Sequence, residues 1–309
     1  MTAPQLSIQL RTFSETDLGA WPSLLDQARA ADEAGIDRIV VSDHVVYGEQ
    51  LDAYGDPKLG GAAGGRQPTG PDGHWLEPLT VLSVLTGITS RVRLGTNILL
   101  AALRTPAVLA KTAATIDVLS GGRLDLGVGV GWQREEYEAS GLRFEDRGRL
   151  LDRTLAVCQA LWTEPIAAFD DGELQFEKIH MMPKPHQAGG VPIWVSGTVN
   201  ALVARRLATY GSTWIPWGSA SADLAGSVTQ LRSMVEAAGG DPSFGVVGNL
   251  AAARTPDGEP DAARTMAGVP ALLAAGVTDV RLGIVVPADR AAAFDLLSAF
   301  VTEFRSATA

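Results

Sequence analysis

Short apolar runs rich in β-branched residues alternate with segments of helical periodicity from one end of the chain to the other. The candidate strands are Gln5–Arg11, Arg38–Ser42, Arg91–Leu100, Leu124–Gly129, Pro192–Gly197, Thr213–Trp217, Phe244–Ala251 and Asp279–Val285. Several are apolar without alternation, the pattern of parallel strands covered on both faces. Between them, apolar positions recur at helical spacing over Trp21–Ala34, Glu77–Thr89, Pro106–Leu119, Asp146–Thr163, Asn200–Tyr210, Ala222–Ala238, Asp261–Ala275 and Asp289–Ser306. Punctuation supports these bounds. Gly35 follows the first helix, Pro78 sits near the first turn of the second, and Ser120-Gly121-Gly122 stops the third. Glycine just past a last turn relieves the left-handed position there.

Eight β-then-α units in 309 residues predict an α/β fold, a closed (β/α)8 TIM barrel, as one domain over 1–309. An open doubly wound sheet uses the same unit, commonly with fewer strands, and places a glycine-rich loop after its first strand. Here that strand runs into RTFSETDLGAW, which has no such loop. Two stretches break the rhythm. Tyr47–His74 is a long Gly/Pro-rich insertion after strand two, of the kind that forms functional lids. Ile166–His186 is a small excursion before strand five, with a hairpin expected at AAFDDGELQFEK around Asp171-Gly172.

Composition acts by exclusion. Apolar residues make up 46% and charged residues 19%, an ordinary globular balance. A net charge of −10 argues against a nucleic-acid partner, which needs clustered Lys and Arg. An anionic small ligand would need local basic residues or backbone N–H groups. One cysteine, Cys158, excludes an intrachain disulfide and any multi-cysteine metal site. It lies in the apolar helical run Leu155–Leu161, as a packing thiol would. The opening MTAPQLSIQL lacks the basic start and long apolar core of a signal peptide. No apolar run approaches the roughly 20 residues that span a bilayer. A cytoplasmic protein with no membrane partner is expected.

Function in such a barrel gathers at the C-terminal ends of the strands. Asp43 and His44 end strand two, Thr96 and Asn97 lie late in strand three, and Gly129-Val130-Gly131-Trp132 follow strand four. Ser196-Gly197-Thr198 end strand five, and Trp214 to Trp217 end strand six. Gly127, Gly129 and Gly131 recur at period two and so face one side. Bare backbone there either admits something flat or packs small residues against large ones inside the barrel. The run does not complete a dinucleotide fingerprint. Gly197 and Thr198 lead into a helix whose first N–H groups could seat a phosphate, with Arg205 and Arg206 further along. The plain alternative is a βα turn capped by the threonine. His44 has no second histidine or carboxylate cluster to make a metal site. It is either a loop histidine held by hydrogen bonds or a proton donor and acceptor near neutral pH, and its place at a strand terminus favours the latter.

Three stretches carry a resemblance, in order and over nearly the whole chain. They are SDHVV, the block from His74 to Gly141 that contains RLGTNILLAALRTPAVLAKT and LDLGVGVGWQREEYEASG, and KPHQAGGVPIWVSGT. The sequence resembles the luciferase-like monooxygenase superfamily and, within it, the coenzyme F420-dependent oxidoreductases. The resemblance implies a flavin-like ring at the barrel mouth, with Asp43 and His44 at its edge. It implies a non-proline cis peptide at Asn97–Ile98 under the ring face, after Thr96. It places Gly129 and Gly131 against the cofactor and its phosphate at Ser196, Gly197 and Thr198.

Two departures stand out. Members that oxidise glucose 6-phosphate carry a glutamate after the strand-four glycines, where this chain has Trp132. An indole cannot take over proton transfer, so sugar-phosphate oxidation is disfavoured, and Trp132 is expected to stack on ring or substrate. Strand six reads GSTW where many relatives have Gly-Asp-Gly-Trp.

The implied activity is hydride transfer between the deazaflavin C5 and a small hydrophobic organic substrate, with His44 handling the proton. Tyr47, Trp75 and Trp217 would wall the substrate, and Arg143, Arg147 and Arg149 would meet the acidic tail of the cofactor. Two alternatives stay open: an FMN-dependent monooxygenase using reduced flavin and O2, and a non-catalytic F420-binding protein. A metal-dependent hydrolase lacks its ligand set. Relatives commonly pair through barrel helices, which makes a homodimer the candidate assembly.

Overall fold

Eight parallel strands close on themselves in the computed structural model, which describes residues 3–59 and 61–309. Met1 and Thr2 of the opening stretch and Gly60 of the long insertion lie outside the described residues. The barrel strands are β1 (Gln5–Gln9), β2 (Arg38–Val41), β3 (Arg93–Thr96), β4 (Leu124–Val128), β5 (Ile193–Gly197), β6 (Gly211–Pro216), β7 (Gly245–Ala251) and β8 (Asp279–Gly283). Each pairs with its neighbours in chain order, and Gln5 of β1 registers with Asp279 of β8 to close the ring. Every residue of β2 and β4 is buried, as strands covered on both faces require, their charged Arg38 and Asp125 paired with each other.

Ten helices surround the ring among the described residues: α1 (Pro22–Ala34), α2 (Pro78–Thr86), α3 (Pro106–Ser120), α4 (Arg134–Ala139), α5 (Arg147–Thr163), α6 (Ala201–Thr209), α7 (Leu224–Ala237), α8 (Ala262–Met266), α9 (Val269–Ala274) and α10 (Arg290–Thr308). Proline opens α1, α2 and α3, where its missing N–H costs nothing. Gly35 and Gly121, at φ 87° and 67°, end α1 and α3 in the left-handed position. Cys158 is buried in α5, and burial pushes its thiol far above the ordinary range.

Two expected elements differ, and a third, the hairpin around Asp171-Gly172, forms as expected. The strand expected to run to Leu100 ends at Thr96, because the chain turns there through a cis Asn97–Ile98 peptide before Leu99 bridges to Val128. The helix expected over Asp261–Ala275 divides at Gly268, whose Cβ position lies 3.0 Å from Leu250 Cδ1. The excursion before β5 is a hairpin, Ala167–Asp170 against Gln175–Ile179, with Gly172 at φ 85° in its turn. A second antiparallel pair, Phe13–Ser14 with His74–Trp75, pins the end of the long insertion beside β1.

Two layers fill the barrel. At the N-terminal end Arg38 pairs with Asp125 at 2.9 Å and with Asp279, and its guanidinium lies 4.2 Å from the Trp194 ring. Above it, Trp194, Ile215 and Val247 form an apolar plug on which Ile98 rests. That plug is the floor of the mouth. Among the described residues no helix is long and apolar enough to cross a membrane.

Candidate functional site at the barrel mouth

The acid and imidazole that end β2 part company. Asp43 is buried, and its carboxylate accepts from Leu100 N at 2.8 Å and from Arg104 at 2.6 and 3.1 Å. Arg104 also donates to Glu77 at 2.7 Å. Burial works against the Arg104 charge, and the two carboxylates overcome it, holding the guanidinium above its ordinary pKa. Asp43 therefore anchors the β2 and β3 loops to each other, and that anchor fixes where His44 stands.

His44 meets a wall of rings. Tyr47 lies 4.4 Å away, Trp75 contacts it edge-on at 4.8 Å, and Trp132 edge-on at 6.1 Å. Tyr54, from the long insertion, lies 5.5 Å from Trp132 and 6.0 Å from Trp217, so the insertion reaches across to the far side of the mouth. Trp75 stacks on Phe13 at 4.4 Å and donates to Thr69 at 3.0 Å. Burial, helped by the Glu136 carboxylate, raises the Tyr47 hydroxyl far above its ordinary pKa. Tyr47 thus stays a donor, and it sits 3.2 Å from Gln67 Oε1.

Behind His44 stands Glu136 of α4, wholly buried. Its Oε1 lies 3.2 Å from His44 Nδ1 and accepts from Val45 N at 2.8 Å. Under the rings is a polar strip: Gln9 of β1 donates to Ser42 at 3.3 Å and accepts from Asn97 at 3.1 Å. Thr96 spends its hydroxyl on the Gly127 carbonyl at 2.8 Å.

The glycines of strand four answer to their own chain. A Cβ on Gly129 would lie 2.9 Å from Ile98 Cδ1, and one on Gly131 would lie 2.7 Å from Leu100 Cδ2. The small-against-large packing reading holds for both, so what they present to a ligand is backbone alone. At β5 the Gly197 carbonyl accepts from Trp214 at 3.0 Å.

The cap of α6 is Asn200 and not Thr198, which corrects the threonine-capped turn. The Asn200 Oδ1 accepts from Leu202 N at 2.9 Å and Val203 N at 3.0 Å, and its Nδ2 donates to the Thr198 carbonyl at 3.0 Å. Asn200 directly precedes the first helical residue, whereas Thr198 lies two residues further out. Two of the first-turn N–H groups are thereby filled. Arg205 and Arg206 both pair with Asp152 at 2.6 Å, and Arg149 pairs with Glu173 at 2.6 Å. Arg147 packs over Phe144, and Arg143 lies 3.9 Å from Asp146. Each of these arginines thus has an acid or ring of its own chain beside it.

Nine buried side-chain polar atoms lack a hydrogen-bond partner among the described residues, and five of them belong to His44 and to residues 132–136 behind it. They are His44 Nδ1, Trp132 Nε1, both amide atoms of Gln133, and Glu136 Oε2. Each such orphan costs about 1–3 kcal/mol unless something pairs with it. Four of the five lie on residues 132–136, directly after the strand-four glycines, and the fifth faces them from the end of strand two. A separate groove of about 280 Å³ lies on the outer face between α2 and α3, and its charged walls, Glu77 and Arg104, already pair with each other.

Gln9, Tyr54, Gln133 and Glu136 were not singled out from the sequence. Glu136 lies on a helix of six residues and Gln133 at its extended N-cap, too short a stretch for a helical period to mark either of them.

Comparison with known proteins agrees with this architecture. The family model for luciferase-like monooxygenases matches residues 6–283. An uncharacterised protein of Mycobacterium tuberculosis is 29% identical over 269 residues, 84% of each chain. A phthiodiolone/phenolphthiodiolone dimycocerosates ketoreductase of Mycobacterium tuberculosis is 33% identical over 176 residues, 54% of this chain and 44% of that one. Among solved structures, an F420-dependent secondary alcohol dehydrogenase in complex with an F420–acetone adduct shares the fold at TM-score 0.75 and 18% identity, covering 98% of this chain and 100% of that one. A monooxygenase from Streptomyces bottropensis does so at TM-score 0.74 and 17% identity, with the same coverage. The family match runs from β1 to the last residue of β8, and the chain belongs to the luciferase-like monooxygenase family.

Proposed function

We propose that the protein is an F420-dependent oxidoreductase acting on a small, hydrophobic carbonyl compound or alcohol, with His44 as proton donor or acceptor. The observation that carries this reading is a titratable imidazole set among aromatic rings, next to four orphaned polar atoms on residues 132–136, at the end of the barrel where this fold does its chemistry. When bound, the deazaflavin supplies the hydride acceptor or donor at its C5. The residues present fit a flat ring with polar edges. The Asn97–Ile98 backbone and the bare backbone at Gly129 and Gly131 would lie under it. Trp132 Nε1 and the Gln133 amide would meet its polar atoms.

The acidic tail finds a thinner seat, the turn Ser196-Gly197-Thr198, because Asn200 and the nearby acids have taken the other donors. Asp43 contributes by fixing the loop that carries His44. Tyr47, Trp75 and Trp217 would exclude water from the substrate and select apolar groups, while His44 exchanges a proton with the substrate oxygen. The likeness to a fold neighbour holding an F420–acetone adduct, and to a ketoreductase, supports the carbonyl and alcohol class. An FMN-dependent monooxygenase is the second reading, favoured by a monooxygenase that superposes equally well.

Anaerobic incubation with reduced F420 and a panel of hydrophobic ketones tests the reading. Recovery of the oxidised deazaflavin absorbance is expected, slowed about 10²–10⁴-fold in His44→Asn. Turnover seen only with reduced FMN and O2 would transfer the protein to the second reading.

A further inference from the structure

The sequence presents His44 and Asp43 as the acid–imidazole pair, yet the structure gives the imidazole a different acid. Asp43 is saturated by Leu100 and Arg104. Glu136 is not. Its carboxylate is wholly buried, accepts from Val45 N, and leaves Oε2 without a partner among the described residues. The atom facing it, His44 Nδ1, is likewise buried and without a hydrogen bond, 3.2 Å from Oε1. The separation is within bonding range, although the two groups are not oriented as a formed hydrogen bond. Such contacts often tighten when a site is filled. A buried carboxylate accepts at about four positions and donates at none, so a second N–H is the partner it lacks.

We infer that Glu136 is the positioning residue of the site: it accepts a hydrogen bond from His44 Nδ1–H and so fixes the neutral imidazole in that tautomer. The other nitrogen, Nε2, then carries the lone pair. Exposure fits this division of labour, for the His44 side chain is 11% exposed and that of Glu136 is 1% exposed. The histidine reaches the mouth and the glutamate stands behind it. In one direction of reaction, Nε2 takes the hydroxyl proton of the substrate while Nδ1 keeps its own, and the resulting imidazolium is stabilised by the carboxylate. In the other, Nε2 returns that proton to the oxygen. Which nitrogen holds the proton is set by the bond its neighbour makes. Glu136 reaches His44 because α4 begins directly after the strand-four turn, which places position 136 one helical turn beyond Gln133.

The use of this tautomer in proton transfer rests on the proposed function, but the tautomer itself does not. Long-range proton–nitrogen spectra of the 15N-labelled, ligand-free chain read it directly, at a pH above the ordinary imidazole range. The sequence holds four imidazoles, His44, His74, His180 and His186, and His44→Asn identifies the signal. The Nδ1–H pattern is expected in the wild type and in E136Q, whose amide oxygen still accepts. It should give way to the Nε2–H form, which free imidazole prefers, in E136L. An Nε2–H pattern in the wild type would overturn the inference, and that spectrum decides alone should E136L fail to fold. A folded E136L that keeps Nδ1–H would overturn it as well. F420 binding is measured separately, so losing the cofactor assignment and losing the dyad are distinct results.

Discussion

At the scale of single residues, the glycines after β4 show what a sequence pattern carries and what it withholds. Their period-two spacing is legible, and it places all three on one face. What occupies that face is not, because Thr96, Ile98 and Leu100 arrive from the end of β3 and the turn after it. The three positions are also unequal. A Cβ on Gly127 would lie 2.0 Å from the Thr96 carbonyl oxygen, whereas the nearest atom to one on Gly129 is the tip of the Ile98 side chain at 2.9 Å. Backbone cannot yield as a side chain can. Gly127→Ala is therefore expected to cost about 1–3 kcal/mol of stability, and Gly129→Ala clearly less, by urea denaturation. Equal losses would contradict that assignment. His44 was legible from its place at a strand end. Its partner Glu136 was not, because 92 positions separate them and only the closed barrel brings them together.

The elements divide along a similar line. Long, strongly periodic segments such as α3 and α10 were legible to within a few residues. Helix α4, six residues long, is too short for a period to show, although it carries Glu136. The insertion after β2 was visible as a break in rhythm, and the ring that secures it was not. Tyr54 bridges Trp132 and Trp217, and the Gly61 N–H and Ala62 N–H close back on Asp56 and Tyr54 at 3.0 and 2.9 Å. Tyr54→Ala should loosen this segment while leaving the barrel strands intact. Amide exchange over residues 51–59 is then expected to speed by at least about tenfold, equivalent to ~1.4 kcal/mol of local stability, with β1 to β8 unchanged. Unchanged exchange in the insertion would mean that other contacts hold it.

For the whole molecule, barrel closure follows from counting eight units, and the ends of the barrel then separate stability from chemistry. Arg38 lies at the N-terminal end, where it shares Asp125 with Arg93 and Asp279 with Arg281. Arg38→Leu leaves buried carboxylates short of a partner and should cost about 3–5 kcal/mol, with ligand affinity at the opposite mouth unaltered at a temperature where the variant is folded. The mouth itself draws on β1 to β6 and the insertion, and much of what it offers a ring is backbone, which no side-chain pattern reports. That is why the family was legible and the cofactor is the open choice. Parallel fluorescence titrations of the purified chain with F420 and with FMN test the central claim most directly. Micromolar or tighter binding of F420, with FMN far weaker, is the expected result; tight FMN binding with none of F420 would contradict it.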